Sequence, residues 1–561
     1  MRNNSSRRWE RPHPAFLSVF IILLFLFYIP IGGVLIRGFF PDSRLDLRLF
    51  ADTVTSSYNL RIFWFTFLQA VLSTVFSLLL GLPGAFLLSN YTFPGKKLIR
   101  ALSGVPFVLP PILVVLGFVI FFGNSGLLNN LLMKIFSLSE PPLSVLYSLK
   151  AIILAHGFYN FPIALRVVSS LWEQLPQNQQ WAAQTLGAHR LKLFRTITLP
   201  QLLPAILAAS ALIFMFCFTS FAVILVLGGG PQYTTIEVEI YRLARTSLDI
   251  PAAGALSSAA LFITLALLSV YIRLQNKLSF QQELSHRRND LHTVHRPNFL
   301  GLSSIIIYIG IMLLIAAGPL IGVIVRSLQK PSSRAGKLFF SLDWYRSILS
   351  GDAGQFGMIA LTAIRNSLII GIAAAGTALI LGTAVSYVTV RYRFRLANLI
   401  DTLSMAPMSV SSVILGLGYF LLLRSLPNLK GASLLLIIAA HAVIAYPFVV
   451  RTVSAVLKKI SPNQLYAAML LGAPPGKVFC SIEFPIILPA LTAAAVFAFA
   501  ISLGEINATL LFSSSIITIP LAIYRMIGSY NFFGACALGT LLIFVCVLVF
   551  SLLERAGGSE I

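Results

Sequence analysis

The chain has 561 residues, of which 57% are hydrophobic and 11% charged, with a formal net charge of +23. A soluble domain carries about 25% charged residues, so this composition excludes an ordinary soluble protein and points to one immersed in lipid. The excess of Lys and Arg has its simplest home in loops on one side of a membrane. No basic stripe with interleaved aromatics stands out, so a nucleic-acid partner is set aside.

Arg7, Arg8 and Arg11 precede an uncharged apolar run, Phe16 to Ile36. That run is too long for a signal-peptide core and has no small-residue cleavage site after it, so it reads as an uncleaved first membrane helix. Twelve spans are predicted, beginning near residues 16, 61, 102, 147, 202 and 253, then 299, 362, 398, 432, 487 and 530. Lipid cannot satisfy an open backbone, and the runs lack the ten-residue alternation of a barrel, so the fold class is all-α. With its arginines inside, the N-terminus is cytoplasmic, and an even span count brings the C-terminus to the same side.

A polar stretch at 275–298 divides a first six-span half (1–274) from a second (299–561). It carries Arg287, Arg288 and Arg296 with His286, His292 and His295. No cysteine or carboxylate cluster completes a metal site there, so it reads as a solvated cytoplasmic linker. Cys217, Cys480, Cys536 and Cys546 suggest neither a disulfide frame nor a zinc site.

The halves repeat one another. His156, Pro162 and Arg166 return as His441, Pro447 and Arg451, each 285 residues later. Further upstream the offset is 301: Gly81, Pro106 and Gly117 match Gly382, Pro407 and Gly418. The difference implies an insertion in the first half, in the outside loop around Gly123 to Leu143. Two six-span halves of like orientation imply a pseudo-two-fold axis along the membrane normal, with a substrate path between them.

Between spans four and five of each half lies a repeated loop. The first reads Trp181-Ala182-Ala183, Gly187, Ile197 and Pro200; the second reads Tyr466-Ala467-Ala468, Gly472, Ile482 and Pro485, at the same spacing. The pattern predicts a short helix, a glycine turn, a second short helix, and a proline opening the next span. The loops span about residues 171–200 and 456–485. This pattern resembles the coupling loop of ABC importer permeases, whose consensus begins Glu-Ala-Ala. Trp181 and Tyr466 replace that Glu here, and Phe484 replaces a Leu near the end. The resemblance implies a coupling helix that docks on a separate ABC ATPase, expected in two copies. It also implies a periplasmic substrate-binding protein and an inner-membrane location.

The segment Gly472 to Val478 has the wrong glycine spacing for a phosphate-binding loop and no Ser or Thr for magnesium. No cofactor and no catalytic residue are therefore expected in this chain; ATP and magnesium would sit on the ATPase. A segment from Ala211 to Phe221, running into Leu227 to Gln232, resembles the thiamine permeases of this family. Ferric-iron permeases are similar too, and either resemblance leaves the mechanism the same. An ion-driven secondary transporter of the major facilitator type is the competing class. Its Gly-x-x-x-Asp-Arg loop is missing from Tyr91 to Arg100.

Glu505 is the one carboxylate deep in an apolar run, and buried ionisable groups in membranes default to functional hypotheses. Glu505, its repeat partner Ser220, and Phe216 are the candidates for the substrate path, where Glu505 would favour a cation. Gly228, Gly229 and Gly230, with Pro231, form an outside turn and are candidates for the mouth that receives the binding protein.

Overall fold

The computed structural model describes residues 14–41, 44–96, 99–100, 104, 109–286, 296–331, 338–351, 355–391, 403–426, 431–512 and 516–556. Eleven helices in it are long and apolar enough to cross a membrane, and a twelfth span is a bent pair. The all-helical expectation holds. The described strands are one short antiparallel hairpin after span seven, Gln329–Pro331 with Leu338–Phe340. Lys330 Nζ donates to Asp343 at 2.8 Å beside it.

Two spans differ from expectation. Hydropathy places the third from residue 102, but its helix begins at Pro111, with Pro110 before it. Consecutive prolines hold the backbone extended and then start a helix without a wasted donor. Pro106 lies outside the described residues, as do Arg7, Arg8 and Arg11. The ninth is expected near 398, where residues 392–402 lie outside the described residues. The ninth span is instead a pair of helices, Leu403–Ser409 and Ser412–Ser425, bent by 105°. Ser411 caps the second piece, its Oγ accepting from Val413 N.

The apolar part of span six ends at Gln275, where the stretch read as a linker begins. Span six continues as helix Ile250–His286, well past Gln275. Arg287, Arg288, His292 and His295 lie outside the described residues. The insertion in the first half is an added helix, Leu127–Phe136. Buried Asn129 organises it, donating to the carbonyls of Gly123 and Leu143 and accepting from Leu143 N.

The halves interlock rather than abut. Span one (Phe20–Phe39) packs on span six of its own half and on Ser412–Ser425 of the other. Span seven (Phe299–Ser327) packs on span twelve (Phe532–Ala556) and on Pro111–Phe122 of the first half. Each half thus lends its first span to the other. The repeated glycines mark the crossings. A Cβ on Gly418 would stand 2.6 Å from Pro30 O, and one on Gly117 would stand 3.0 Å from Pro319. Both helices approach closely because neither glycine has a side chain to hold them apart. Gly81 and Gly382 do the same between spans two and four, and between their counterparts in the second half, against Ala164 and Val449.

Proline recurs in a second role. π-turns at Leu24–Tyr28, Phe194–Thr198, Leu313–Ala317 and Phe479–Glu483 each end two residues before a proline: Pro30, Pro200, Pro319 and Pro485. A π-turn widens the helix by one residue, which accommodates both the missing N–H and the ring. This corrects the expectation that Pro200 and Pro485 open new helices. The spans run unbroken from Leu191 and Pro475 through the π-turns.

Candidate functional site

The two motif loops have the same backbone. Their helices are Gln177–Thr185 and Pro462–Leu470. In the first, Gly187 N donates to Gln184 O at 2.9 Å and Ala188 N to Ala183 O at 2.9 Å. In the second, Gly472 N donates to Met469 O at 3.0 Å and Ala473 N to Ala468 O at 3.1 Å. This paired pattern is a Schellman stop, which needs a left-handed residue after the helix. Gly187 at φ +82° and Gly472 at φ +84° supply it. The repeated Ala183 and Ala468 are the carbonyls that receive the closing bond, and both are half-buried.

Trp181, Ala182, Tyr466 and Ala467 are exposed on these helices, while Ile197 and Ile482 are half-buried beneath them. Pro200 and Pro485 are exposed. The most exposed apolar side chains are ones that motif reading passed over. Leu186 and Leu471 stand at the two caps, 87% and 89% exposed, with Leu470 at 88%. Leu186 and Leu471 share the 285-residue offset, which was the available signal. Exposed apolar knobs of this kind, present on both loops, are the type of surface that marks a protein–protein contact.

The loops lead into spans that break again inside the membrane. Span five loses helical form at Thr219 and Ser220, and span eleven at Glu505 and Ile506. These are equivalent positions, and discontinuous helices expose backbone polar groups where a substrate can be met. Buried histidines brace both breaks. His156 Nδ1 lies 3.0 Å from Ser73 Oγ and its Nε2 lies 2.8 Å from Ser220 Oγ. His441 Nδ1 lies 2.8 Å from Ser502 Oγ and its Nε2 lies 2.9 Å from Thr509 Oγ1. Phe216 is half-buried four residues before Ser220.

Glu505 is buried, and its carboxylate is locally engaged. Oε1 accepts from Ala508 N at 3.0 Å, and the Ser412 hydroxyl bonds the same group. It therefore caps the short helix Asn507–Phe512 as well as facing span nine of its own half. Asn507 Nδ2 also donates to Ser412 Oγ at 2.8 Å. Glu237 of the first half, on helix Ile236–Arg242, reaches the neighbouring residue: Ser411 Oγ donates to it at 2.5 Å. Buried carboxylates among the described residues are Glu237, Glu239, Glu483 and Glu505. Glu239 pairs with Arg242 and Glu483 with Arg391; among the described residues, neither Glu237 nor Glu505 pairs with a cation. Glu237 was missed because the search was for a lone charge deep in an apolar run, and Glu237 lies in a short segment with Glu239 and Arg242 close by.

Gly229 and Gly230 take left-handed φ values of +70° and +121°, while Gly228 continues the preceding helix. The turn is fitted tightly, since a Cβ on Gly229 would stand 2.6 Å from Tyr147 Cβ.

Comparison with known proteins fits this picture. The sequence matches the family of binding-protein-dependent transport system inner membrane components twice, over residues 64–281 and 367–556. It is 30% identical over 510 residues to the thiamine transport system permease protein of Brucella abortus (strain 2308), covering 90% of this chain and 89% of that one. It is 28% identical over 540 residues to the corresponding Haemophilus influenzae protein, covering 96% and 95%. A putative 2-aminoethylphosphonate permease of Salmonella typhimurium, 29% identical over 264 residues, covers 46% of this chain and is itself covered to 91%. That relative corresponds in length to a single half.

Proposed function

The chain belongs to the family of binding-protein-dependent transport system inner membrane components, the permeases of ABC importers, and from that premise we propose that it imports thiamine or thiamine pyrophosphate. The observation that carries the substrate is the similarity to thiamine permeases along nearly the whole chain. The chemistry agrees with it. Thiamine is a cation, and Glu237 and Glu505 bring two carboxylates, without a paired cation among the described residues, to adjacent serines, one from each half. A buried carboxylate lacking a counter-ion is costly, and an entering cation offsets that cost.

In this reading the motif loops and both termini face the cytoplasm. Leu186, Leu470 and Leu471 with Trp181 and Tyr466 dock on two copies of an ABC ATPase, and a periplasmic binding protein delivers substrate near Gly228–Gly230. ATP and magnesium act on the ATPase. Alternating access moves the two interlocked halves about the breaks in spans five and eleven.

The test is uptake by the complete complex in proteoliposomes, with ATP and the cognate binding protein. Labelled thiamine should accumulate, and unlabelled thiamine pyrophosphate should compete. Glu505→Gln should slow uptake at an unchanged amount of assembled complex. Accumulation of ferric ion without thiamine would move the chain to the iron branch and refute the substrate.

A further inference from the structure

The segment between spans seven and eight lies on the face opposite the motif loops, which follow spans four and ten. Its outside is as apolar as its inside. Strand Leu338–Phe340 pairs antiparallel with Gln329–Pro331, with Phe340 opposite Gln329. Side chains of a strand alternate between two faces, yet Leu338, Phe339 and Phe340 are all exposed. Helix Asp343–Ser350 follows, and its inner side is packed. Ile348 is buried, Trp344 meets the Phe356 ring edge-on with centroids 5.1 Å apart, and Tyr345 Oη donates to Ser327 Oγ at 2.7 Å. The rest of the helix surface divides in two. Asp343, Ser347 and Ser350 form a polar strip at helical spacing. Leu342, Arg346 and Leu349 form a second strip, and all three are exposed, Leu349 to 86%. A helix lying between a core and water has no use for the second strip.

This outer surface is held in place. Trp344 Nε1 donates to Gln329 O at 3.2 Å and Lys330 Nζ to Asp343 Oδ2 at 2.8 Å. The Arg326 guanidinium carbon stands 4.8 Å from the centroid of the Phe533 ring on span twelve. The surface is also continuous with helix sides that lipid covers. Ile321 and Val325 are exposed near the end of span seven, and Met358 and Leu361 near the start of span eight. Both spans are apolar enough to cross a membrane, and span seven is the least buried of the eleven such helices. Its helix ends at Ser327, and the first strand begins at Gln329.

We propose that strand Leu338–Phe340 and the Leu342–Arg346–Leu349 strip lie in the phospholipid headgroup layer and anchor span seven there. The open edges of a two-stranded hairpin need water, which excludes the hydrocarbon core. Large exposed apolar side chains favour leaving water. The headgroup layer meets both demands, and Trp344 and Tyr345 are of the types that collect in it. Arg346 stands between two leucines, so its stem can run along them while its guanidinium reaches a lipid phosphate. The weakly buried span seven gains from lipid the hold that protein packing supplies to the others.

The experiment attaches the fluorophore NBD at Phe340→Cys in the complete complex with its ATPase, in vesicles of phosphatidylethanolamine and phosphatidylglycerol. Cys480, the exposed native cysteine, is replaced by serine; Cys217, Cys536 and Cys546 are buried. Gln232→Cys, exposed beside the glycine turn, is the water-facing reference. A headgroup-level nitroxide lipid should remove most of the emission at 340, and iodide on both sides of the membrane should remove little. The order should reverse at 232. Saturating binding protein should leave the signal at 340 unchanged. Iodide quenching at 340 equal to that at 232 would overturn the proposal. So would shielding of 340 from iodide by the binding protein, which would give the surface to that partner instead. If Phe340→Cys does not assemble, Leu349→Cys poses the same question at the far end of the surface, with the same readings. Quenching does not depend on the transported molecule, so failure here is separable from failure of the thiamine assignment.

Discussion

Replacing Gly187 and Gly472 by alanine tests the docking loops most directly. An added Cβ meets nothing within 4 Å at either position, so no clash with another element complicates the result. Both residues hold φ above +80°, where an L-residue costs about 1–2 kcal/mol. The loop can relieve that strain only by giving up the Schellman stop that aims Leu186 or Leu471 outward. A penalty of that size lowers the docking-competent fraction of each loop by about 5- to 30-fold. Affinity for the ATPase subunit, measured by surface-immobilised titration, should fall by up to that factor in each single variant. It should fall further in the double variant. Gly476→Ala is the control: it also has open space around it but ordinary φ. Asparagine at 187 should do less harm than alanine, because it tolerates the left-handed region. Parent-like affinity in both alanine variants, or an equal loss in Gly476→Ala, would refute the reasoning.

Leu471→Asp should abolish copurification of the ATPase without lowering the melting temperature, since that side chain is 89% exposed. Gly418→Ala should destabilise the fold by about 1–3 kcal/mol through overpacking, and more than Gly117→Ala, because its Cβ meets a carbonyl at 2.6 Å rather than 3.0 Å. A thermal-shift comparison in detergent ranks the two. The Arg391–Glu483 pair, at 2.6 Å with side chains 16% and 2% exposed, should lose about 3–5 kcal/mol when Arg391→Met leaves the carboxylate alone. Arg391→Met with Glu483→Leu should recover most of it, as read by the same melting curves.

The span pattern and the two-fold repeat were legible because both rest on long apolar runs and on fixed offsets. His156 and His441 could be paired by counting, and so could Gly117 and Gly418. Their partners could not: Pro30 and Pro319 face those glycines only because spans one and seven cross to the opposite half. The prolines of the motif loops misled for a definite reason. Proline is favoured at the first position of a helix, so Pro200 read as a helix start, whereas the π-turn at Phe194–Thr198 lets the helix pass through it. Glu505 stood out as a lone charge in an apolar run, but its engagement with Ser412 depends on the 105° bend in span nine, which no local pattern announces.

The shared and unshared features of the halves divide by task. The Schellman stops, the π-turns before prolines and the glycine crossings recur at matched positions in both halves. These parts give the two loops one backbone, although Trp181 stands in one where Tyr466 stands in the other. The charged interior does not recur. Glu505 matches Ser220, and Glu483 matches Thr198. If the cargo is the proposed small asymmetric cation, it meets both halves at once near a pseudo-two-fold axis, and a symmetric lining would not complement it. A fused chain permits that division, because each half can change its interior without changing the other.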